Sequence, residues 1–347
     1  MTYVSGLGRI AAGTLAAALL TALPAAAFDY PAPTPLADGT QADVSRLKND
    51  GAISIAYMPP ATEFAYYMAI GEGIKAEAAK AKVETFMLAP QSGADINGQM
   101  GMIQDAITRG VDAIILSTHD EAAAAPLVKQ AVEKGIAIVI VNSDFTGFPT
   151  PVDAVVGYSQ RKGTEKIGAY LLDKLGGKPA VVGVIEGQPG YHSTERVGGF
   201  LTAVKDKPGI TIKASLPGAW NVEGGNTAGM DMLQANPDID VIFAANDYMI
   251  MGAQAAAKTL GRTKVMLLGN DGDTAAMEQI AAGTVNATVN TSPYIMGEIA
   301  LTVAVDALNG TFKGGFVETP TTVIDAANVL PVLQNPDSLY PKPSKAY

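Results

Sequence analysis

From Ile53 onward the chain alternates short apolar runs with stretches of helical spacing, and this limits the possible fold more than any other feature. The runs are ISIAY (53–57), VETFML (83–88), DAIILS (112–117), IAIVIVN (136–142), AVVGVIE (180–186), ITIKAS (210–215), DVIFAAN (240–246), KVMLLGN (264–270) and NATVN (286–290). Between most of them apolar residues recur at helical intervals, as in Met68, Ile70, Gly73 and Ile74, or Met100, Ile103 and Ile107. A strand that is apolar on both sides must be covered on both faces, and strand–helix–strand repetition builds parallel sheet in right-handed units. The fold class is therefore α/β, with doubly wound parallel sheets. So many runs exceed what one open sheet of this kind holds, and the pattern weakens through FTGFPTPVDAVVG (145–157), which reads as a loop. Two successive lobes fit better, the first closing near Tyr158 and the second opening near Lys162.

Composition removes whole classes of function. The 347 residues carry 24 Lys and Arg against 34 Asp and Glu, a net charge of -10 with no basic block, so nucleic acid and anionic lipid are excluded as partners. With no Cys and only His119 and His192, disulfides, thiolate metal sites and cysteine nucleophiles are impossible and a His-based triad has little material. No GxSxG, HExxH, GxGxxG or phosphate-loop string occurs. No catalytic residue, metal or cofactor is expected. The competing enzyme reading is a glycosidase with a carboxylate pair drawn from Glu63, Glu186 and Asp271.

Residues 1–27 have one charge, Arg9, then an apolar stretch from Ile10 to Leu23, then Pro24 and small residues ending in Ala25-x-Ala27. That is the layout of a secretory signal peptide, and its 14 apolar residues fall short of the roughly 20 that span a bilayer. Export to the periplasm with cleavage near Ala27 is expected, without a membrane anchor. Residues 28–49, rich in Pro and without apolar period, read as an extended leader on the surface.

Polar residues stand where the apolar runs stop: Ser117, Asn142, Asn246, Asn270, Asp271 and Thr291. In open α/β sheets that carboxyl edge is where ligands bind, so a cleft between the lobes is the expected site. Trp220 is the sole Trp and lies in the polar loop LPGAWNVEGG, which suits a ligand platform. Of Asn246 and Asp247, the Asp is expected to cap the following helix and the Asn to face ligand. Arg196 on an apolar helix could instead pair with Glu195 or Asp231, and Asp271 could cap a helix starting near Thr274. Tyr66 and Tyr67 are adjacent on one helix and cannot both face one way, so one of them can be core. His119 could reach the cleft or stay solvated, and His192 reads as structural.

The order and spacing of PDIDVIFAANDYMIMGA (237–253), KVMLLGNDG (264–272) and NATVNTSPYIMG (286–297) give a resemblance, supported by GEGIKAEA (71–78), ITRGVDAIILSTHDEA (107–122) and ERVGGF (195–200). Over residues 51–325 the chain resembles the periplasmic sugar-binding proteins of ABC transporters, of the ribose-binding type. The resemblance implies two doubly wound lobes joined by a hinge of three crossings. The lobes would comprise residues 50–158 plus 292–318 and residues 159–291 plus 319–347. It places Tyr66 and Tyr67 as the first lobe's stacking aromatics, with Phe64 where the family has Asn. Ser117 and Asn142 become polar contacts of that lobe, and Arg196, Trp220, Asn246, Asp271 and Thr291 contacts of the second. Asn142 and Ser143 stand where ribose binders carry Asp and Arg, and Asn270 replaces an aromatic, which puts ribose itself in question.

The chemistry agrees with this resemblance. A sugar or polyol has apolar C–H faces and a belt of hydroxyls, so its site needs flat aromatic surfaces and groups that donate and accept. The expected protein is a monomeric, non-catalytic receptor that takes a small neutral sugar or polyol to an ABC permease. A sensory role in chemotaxis or a two-component system is the alternative. Substituting Trp220 or Asp271 by Ala is expected to weaken binding without unfolding the protein, both bordering an open cleft.

Overall fold

The computed structural model describes Met1 and residues 30–49, 51–144 and 148–335; apart from Met1, the signal peptide expected at 1–27 lies outside these, as do residues 28–29 of the expected leader and 336–347 of the expected second lobe. Two six-stranded sheets form the two lobes. The first contains β1 (Ser54–Met58), β2 (Glu84–Met87), β3 (Ala113–Leu116), β4 (Ala137–Val141), β5 (Ala154–Gly157) and β11 (Gly315–Glu318), in the order β11-β5-β4-β3-β1-β2. The second contains β6 (Ala180–Glu186), β7 (Ile210–Pro217), β8 (Val241–Ala244), β9 (Met266–Leu268), β10 (Ala287–Asn290) and β12 (Thr322–Asp325), in the order β12-β10-β9-β8-β6-β7. Helices α1 (Ala65–Ala81), α2 (Ile96–Arg109), α3 (Glu121–Glu133), α4 (Gln160–Leu175), α5 (Tyr191–Val204), α6 (Val222–Ala235), α7 (Asp247–Thr259), α8 (Thr274–Ala281), α9 (Pro293–Leu308) and α10 (Val329–Leu333) cover the faces.

The parallel strands behave as their composition requires. Every residue of AIVIV in β4 and AIIL in β3 is buried, whereas the edge strand β7 alternates half-buried and exposed residues. Two expectations are corrected. The stretch read as a loop ends in β5, whose four residues AVVG are all buried. The second sheet is mixed rather than wholly parallel, because β12 runs antiparallel to β10 at its edge.

The chain passes between the sheets three times: from β5 to α4, from β10 to α9, and from β11 to β12. Helix α9 is apolar on nearly all sides and is correspondingly enclosed, packing on α1, β4 and β5. Glycines let α1 and α9 approach backbone to backbone. A Cβ on Gly73 would sit 2.0 Å from the Tyr294 carbonyl oxygen, and one on Gly297 2.0 Å from that of Ile70.

The leader is sewn to the first lobe and includes one short 3-10 turn, Val44–Arg46. Thr34 bridges Phe316 and Gln41 bridges Val152. The Arg46 guanidinium pairs with the buried Asp153 at 2.5 Å and donates to the carbonyls of Val132 and Ile136.

Candidate functional site

The carboxyl ends of strands from both sheets converge on one cavity of about 470 Å³, counting its open mouth. Its walls are Phe64, Tyr66, Tyr67, His119 and Asn142 from the first lobe, and His192, Arg196, Trp220, Asn246, Tyr248 and Asp271 from the second. Eight of the ten residues expected to contact ligand are therefore brought together. Ser117 and Thr291 lie one layer behind. Thr291 Oγ1 is 3.0 Å from the Tyr66 hydroxyl and donates to the Asp271 carbonyl, and Ser117 hydrogen-bonds the Tyr67 hydroxyl. Each orients a group that does line the cavity.

Tyr66 and Tyr67 both reach the cavity, contrary to the expectation that adjacent helical residues diverge. They sit in the first turn of α1, where the rings converge at 5.5 Å with planes 86° apart, and Asn142 ties them together. Tyr66 donates to Asn142 Oδ1 at 2.9 Å, and Asn142 Nδ2 donates to the Tyr67 hydroxyl at 3.3 Å. Burial pushes both phenols upward from their ordinary range, so both are neutral hydroxyls at physiological pH. Phe64 packs edge-on to Tyr67 at 6.0 Å and to His119 at 5.7 Å.

Arg196 anchors the second lobe. Its partner is neither Glu195, which binds Arg161, nor Asp231, but Asp271, with Nη1 donating to Oδ1 at 2.9 Å. Nη1 also donates to the Ala245 carbonyl at 3.0 Å and Nε to Gln160 Oε1 at 2.6 Å. At 4% and 7% exposure the two charges form a buried, hydrogen-bonded pair that cancels, so Asp271 is not the free border group expected from sequence. Burial pushes the Asp271 carboxyl up to about 6 against the pull of Arg196. The guanidinium lies over the Trp220 ring at 5.5 Å, a cation–π contact that helps seat the indole in the cavity wall both residues share.

The cap assignment is reversed. Asn246 caps α7, its Oδ1 accepting from Met249 N at 2.9 Å while its Nδ2 donates to the Trp220 carbonyl. Asp247 is fully buried and braces the neighbouring loop: Oδ2 accepts from the backbone of Gly272 and Asp273, and Oδ1 accepts from Thr288 Oγ1. Helix α8 is capped by Asp273, not Asp271. Asn142, Trp220 and Asp271 also have positive φ, at 58°, 64° and 129°. Such backbone is costly for side-chain-bearing residues and is held here where three pocket groups must point inward.

Sequence reasoning left His192 as structural, left His119 undecided between cleft and solvent, and did not consider Tyr248. The available signal was position alone: His119 follows β3, while His192 and Tyr248 open helices that start at the cleft.

Residues 55–312 match the periplasmic binding protein domain. The chain belongs to the periplasmic binding protein family. A ribose import binding protein of Bacillus subtilis is 31% identical over 71% of this chain and 78% of its own length. The D-ribose/D-allose-binding protein of Pseudomonas aeruginosa is also 31% identical, over 67% of this chain and 75% of its own. Among solved structures, an ABC transporter periplasmic solute binding protein from Actinobacillus succinogenes with bound D-allose superimposes with a TM-score of 0.76, at 26% identity over 80% of this chain and 99% of that one. The myo-inositol binding protein of Caulobacter, bound to myo-inositol, gives 0.74 at 25% identity over 82% and 97%. Membership of the family places this periplasmic binding protein in the periplasm, and among the described residues no helix is long and apolar enough to cross a membrane.

Proposed function

We propose that the protein captures a small neutral sugar or polyol between its lobes and delivers it to an ABC permease. The observation that carries the reading is the cavity itself. Aromatic side chains from both lobes wall it, amide and hydroxyl groups line it, and the ion pair among its described residues, Arg196 with Asp271, is already internally satisfied. A charged ligand would be buried there without a counter-charge, whereas C–H faces and hydroxyls find matching surfaces. The family relationship to ribose and allose binders and to a myo-inositol binder supports the same class.

Closure supplies the mechanism. A ligand touching both lobes binds the closed arrangement more tightly than the open one and shifts the equilibrium by that difference, presenting closed outer faces to the permease. The ligand contacts are Phe64, Tyr66, Tyr67, Asn142, Arg196, Trp220, Asn246 and Asp271, with Ser117 and Thr291 holding the tyrosines. The lobes divide at 50–158 plus 292–318 and 159–291 plus 319–347. The mature protein begins near Phe28 after signal cleavage and acts as a monomer without turnover.

A thermal-shift screen of the mature protein against D-ribose, D-allose, myo-inositol, glycerol and sugar acids tests the reading. A ligand at 100 times its Kd stabilises the native state by about 2.7 kcal/mol, and it should be recovered chemically unchanged. Stabilisation by sugar acids alone, or appearance of product in proportion to protein, would overturn it.

A further inference from the structure

His119 and His192 enter the cavity wall from opposite lobes, the first just beyond β3 and the second in the first turn of α5. His119 Nδ1 lies 3.4 Å from the Gly93 carbonyl, with the ring edge-on against both Phe64 and Tyr67. A carbonyl only accepts, so Nδ1 carries the hydrogen in that contact and Nε2 is left as an acceptor. His192 Nδ1 is buried without a hydrogen-bond partner. Both rings also line an adjoining smaller cavity with Glu121, Gln188 and Ser193, so they stand as a partition between the binding cavity and its neighbour.

Burial disfavours protonation of both rings, and for His192 the surrounding charges do so as well. Burial is the main effect on both rings. His192 also faces Arg196 and His119; on His119 the hydrogen bond to the Gly93 carbonyl and the charge of Glu63 pull the other way, and Arg196 adds a smaller push in the same sense as burial. Asp271 is tied to Arg196, Glu121 lies in the adjoining cavity, and the positive amino end of α5 adds to the effect on His192. Buried polar atoms in folded proteins are almost always partnered, and His192 lines the cavity from which a ligand partner would come once the side chain adjusts to it.

We propose that His119 and His192 are ligand contacts, one from each lobe, whose neutral imidazoles hydrogen-bond hydroxyls of the bound polyol and make capture fall off in acid. The inference rests on the sugar or polyol reading and names two specificity residues within it. An imidazolium has no acceptor to offer a hydroxyl, and two cations facing across the cleft would oppose closure.

With two histidines in the sequence, tag-free protein gives two sets of imidazole resonances that can be followed directly by NMR. The probes are D-ribose, D-allose and myo-inositol, titrated by calorimetry at pH 7.5 and then downward through pH 5.5 as far as the protein stays folded, since both rings titrate below their ordinary value. Both histidines should titrate below their ordinary value of about 6.5, and a saturating probe should lower them further. His192→Phe should weaken binding about three- to ten-fold at pH 7.5, the span of one neutral hydrogen bond. His192→Asn, whose amide oxygen stands near the Nδ1 position, should keep affinity at pH 7.5 and lose part of the acid dependence. The slope remaining belongs to His119 and Asp271. If His192→Phe binds as wild type, or neither imidazole responds to a saturating probe, the inference is overturned while the polyol reading stands. If no probe binds the wild-type protein at pH 7.5, both fall.

Discussion

Replacing Asp247 by Asn removes one titration and should change how stability depends on pH. The carboxyl is fully enclosed, and burial, reinforced by the negative charge of Asp271, pushes it up to about 8 from the ordinary 3.8. A carboxyl whose folded-state value lies above its unfolded value contributes stability that is fully present below pH 4 or so and is lost as pH rises through about 8, because the unfolded chain gives up the proton first. Within that window the loss runs at about 1.4 kcal/mol per pH unit, or about 2.7 kcal/mol between pH 5 and pH 7. Asn is nearly isosteric. Its oxygen can accept from the Gly272 and Asp273 backbone, and its amide can donate to Thr288 Oγ1. Stability of Asp247→Asn relative to wild type should therefore rise by that 2.7 kcal/mol or so from pH 5 to pH 7. Urea unfolding followed by the fluorescence of Trp220, the sole Trp and in the same lobe, reads it directly. Parallel stability curves for the two proteins would mean that Asp247 is ionised throughout, and the burial argument would fail.

Other substitutions test the site's supports. A Cβ on Gly187 would stand 2.0 Å from the Trp220 ring, so Gly187→Ala should displace the indole, shift its emission and weaken sugar binding about ten-fold or more; unchanged emission and affinity would refute the seating. Asp271→Ala leaves the Arg196 charge buried and unpaired, and should cost the ligand-free protein about 3 to 5 kcal/mol, measured by urea unfolding; a loss below 1 kcal/mol or so would mean that water reaches the guanidinium. Gly73→Ala should force α1 and α9 apart and destabilise the first lobe by about 1 to 3 kcal/mol, with sugar affinity per folded molecule little changed in calorimetry.

The sequence was most readable where one physical effect dominated. A run such as IAIVIVN can be satisfied only by burial on both faces, and it became β4. β5, β11 and β12 are no shorter than β3 or β10, but they lie close to Pro and Gly, whose turn signal masks so short an apolar run. β11 and β12 are strands because they complete sheet edges, and β5 because it is held between β4 and β11. Within the site, Arg196 could be singled out as a charge on an apolar helix, but its partner Asp271 lies 75 residues away, and only the meeting of α5 with the end of β9 selects it over the nearer Glu195. The Asn246 and Asp247 pair defeated a local rule for the same reason. Either can cap a helix, and what decides is that Thr288 and the Gly272 loop offer three donors to Asp247.

The three crossings between sheets also bear on how the chain is made. The core of the first lobe includes Met296, Ile299, Leu301 and Val303 of α9, together with Phe312 and Val317, while the second lobe closes with Ile324 and Val329. Neither lobe is complete until nearly the whole chain is present, since each takes its final pieces from the last quarter of the sequence, although the clusters on the other sheet faces draw mainly on residues 36–155 and 167–289. Contacts of such long range are slow to establish, because loop closure must precede any gain from burial. A nascent chain emerging from its amino terminus therefore remains without a completed lobe for most of its synthesis. For a protein that must cross a membrane before it works, late folding of this kind keeps the chain threadable until it is on the far side.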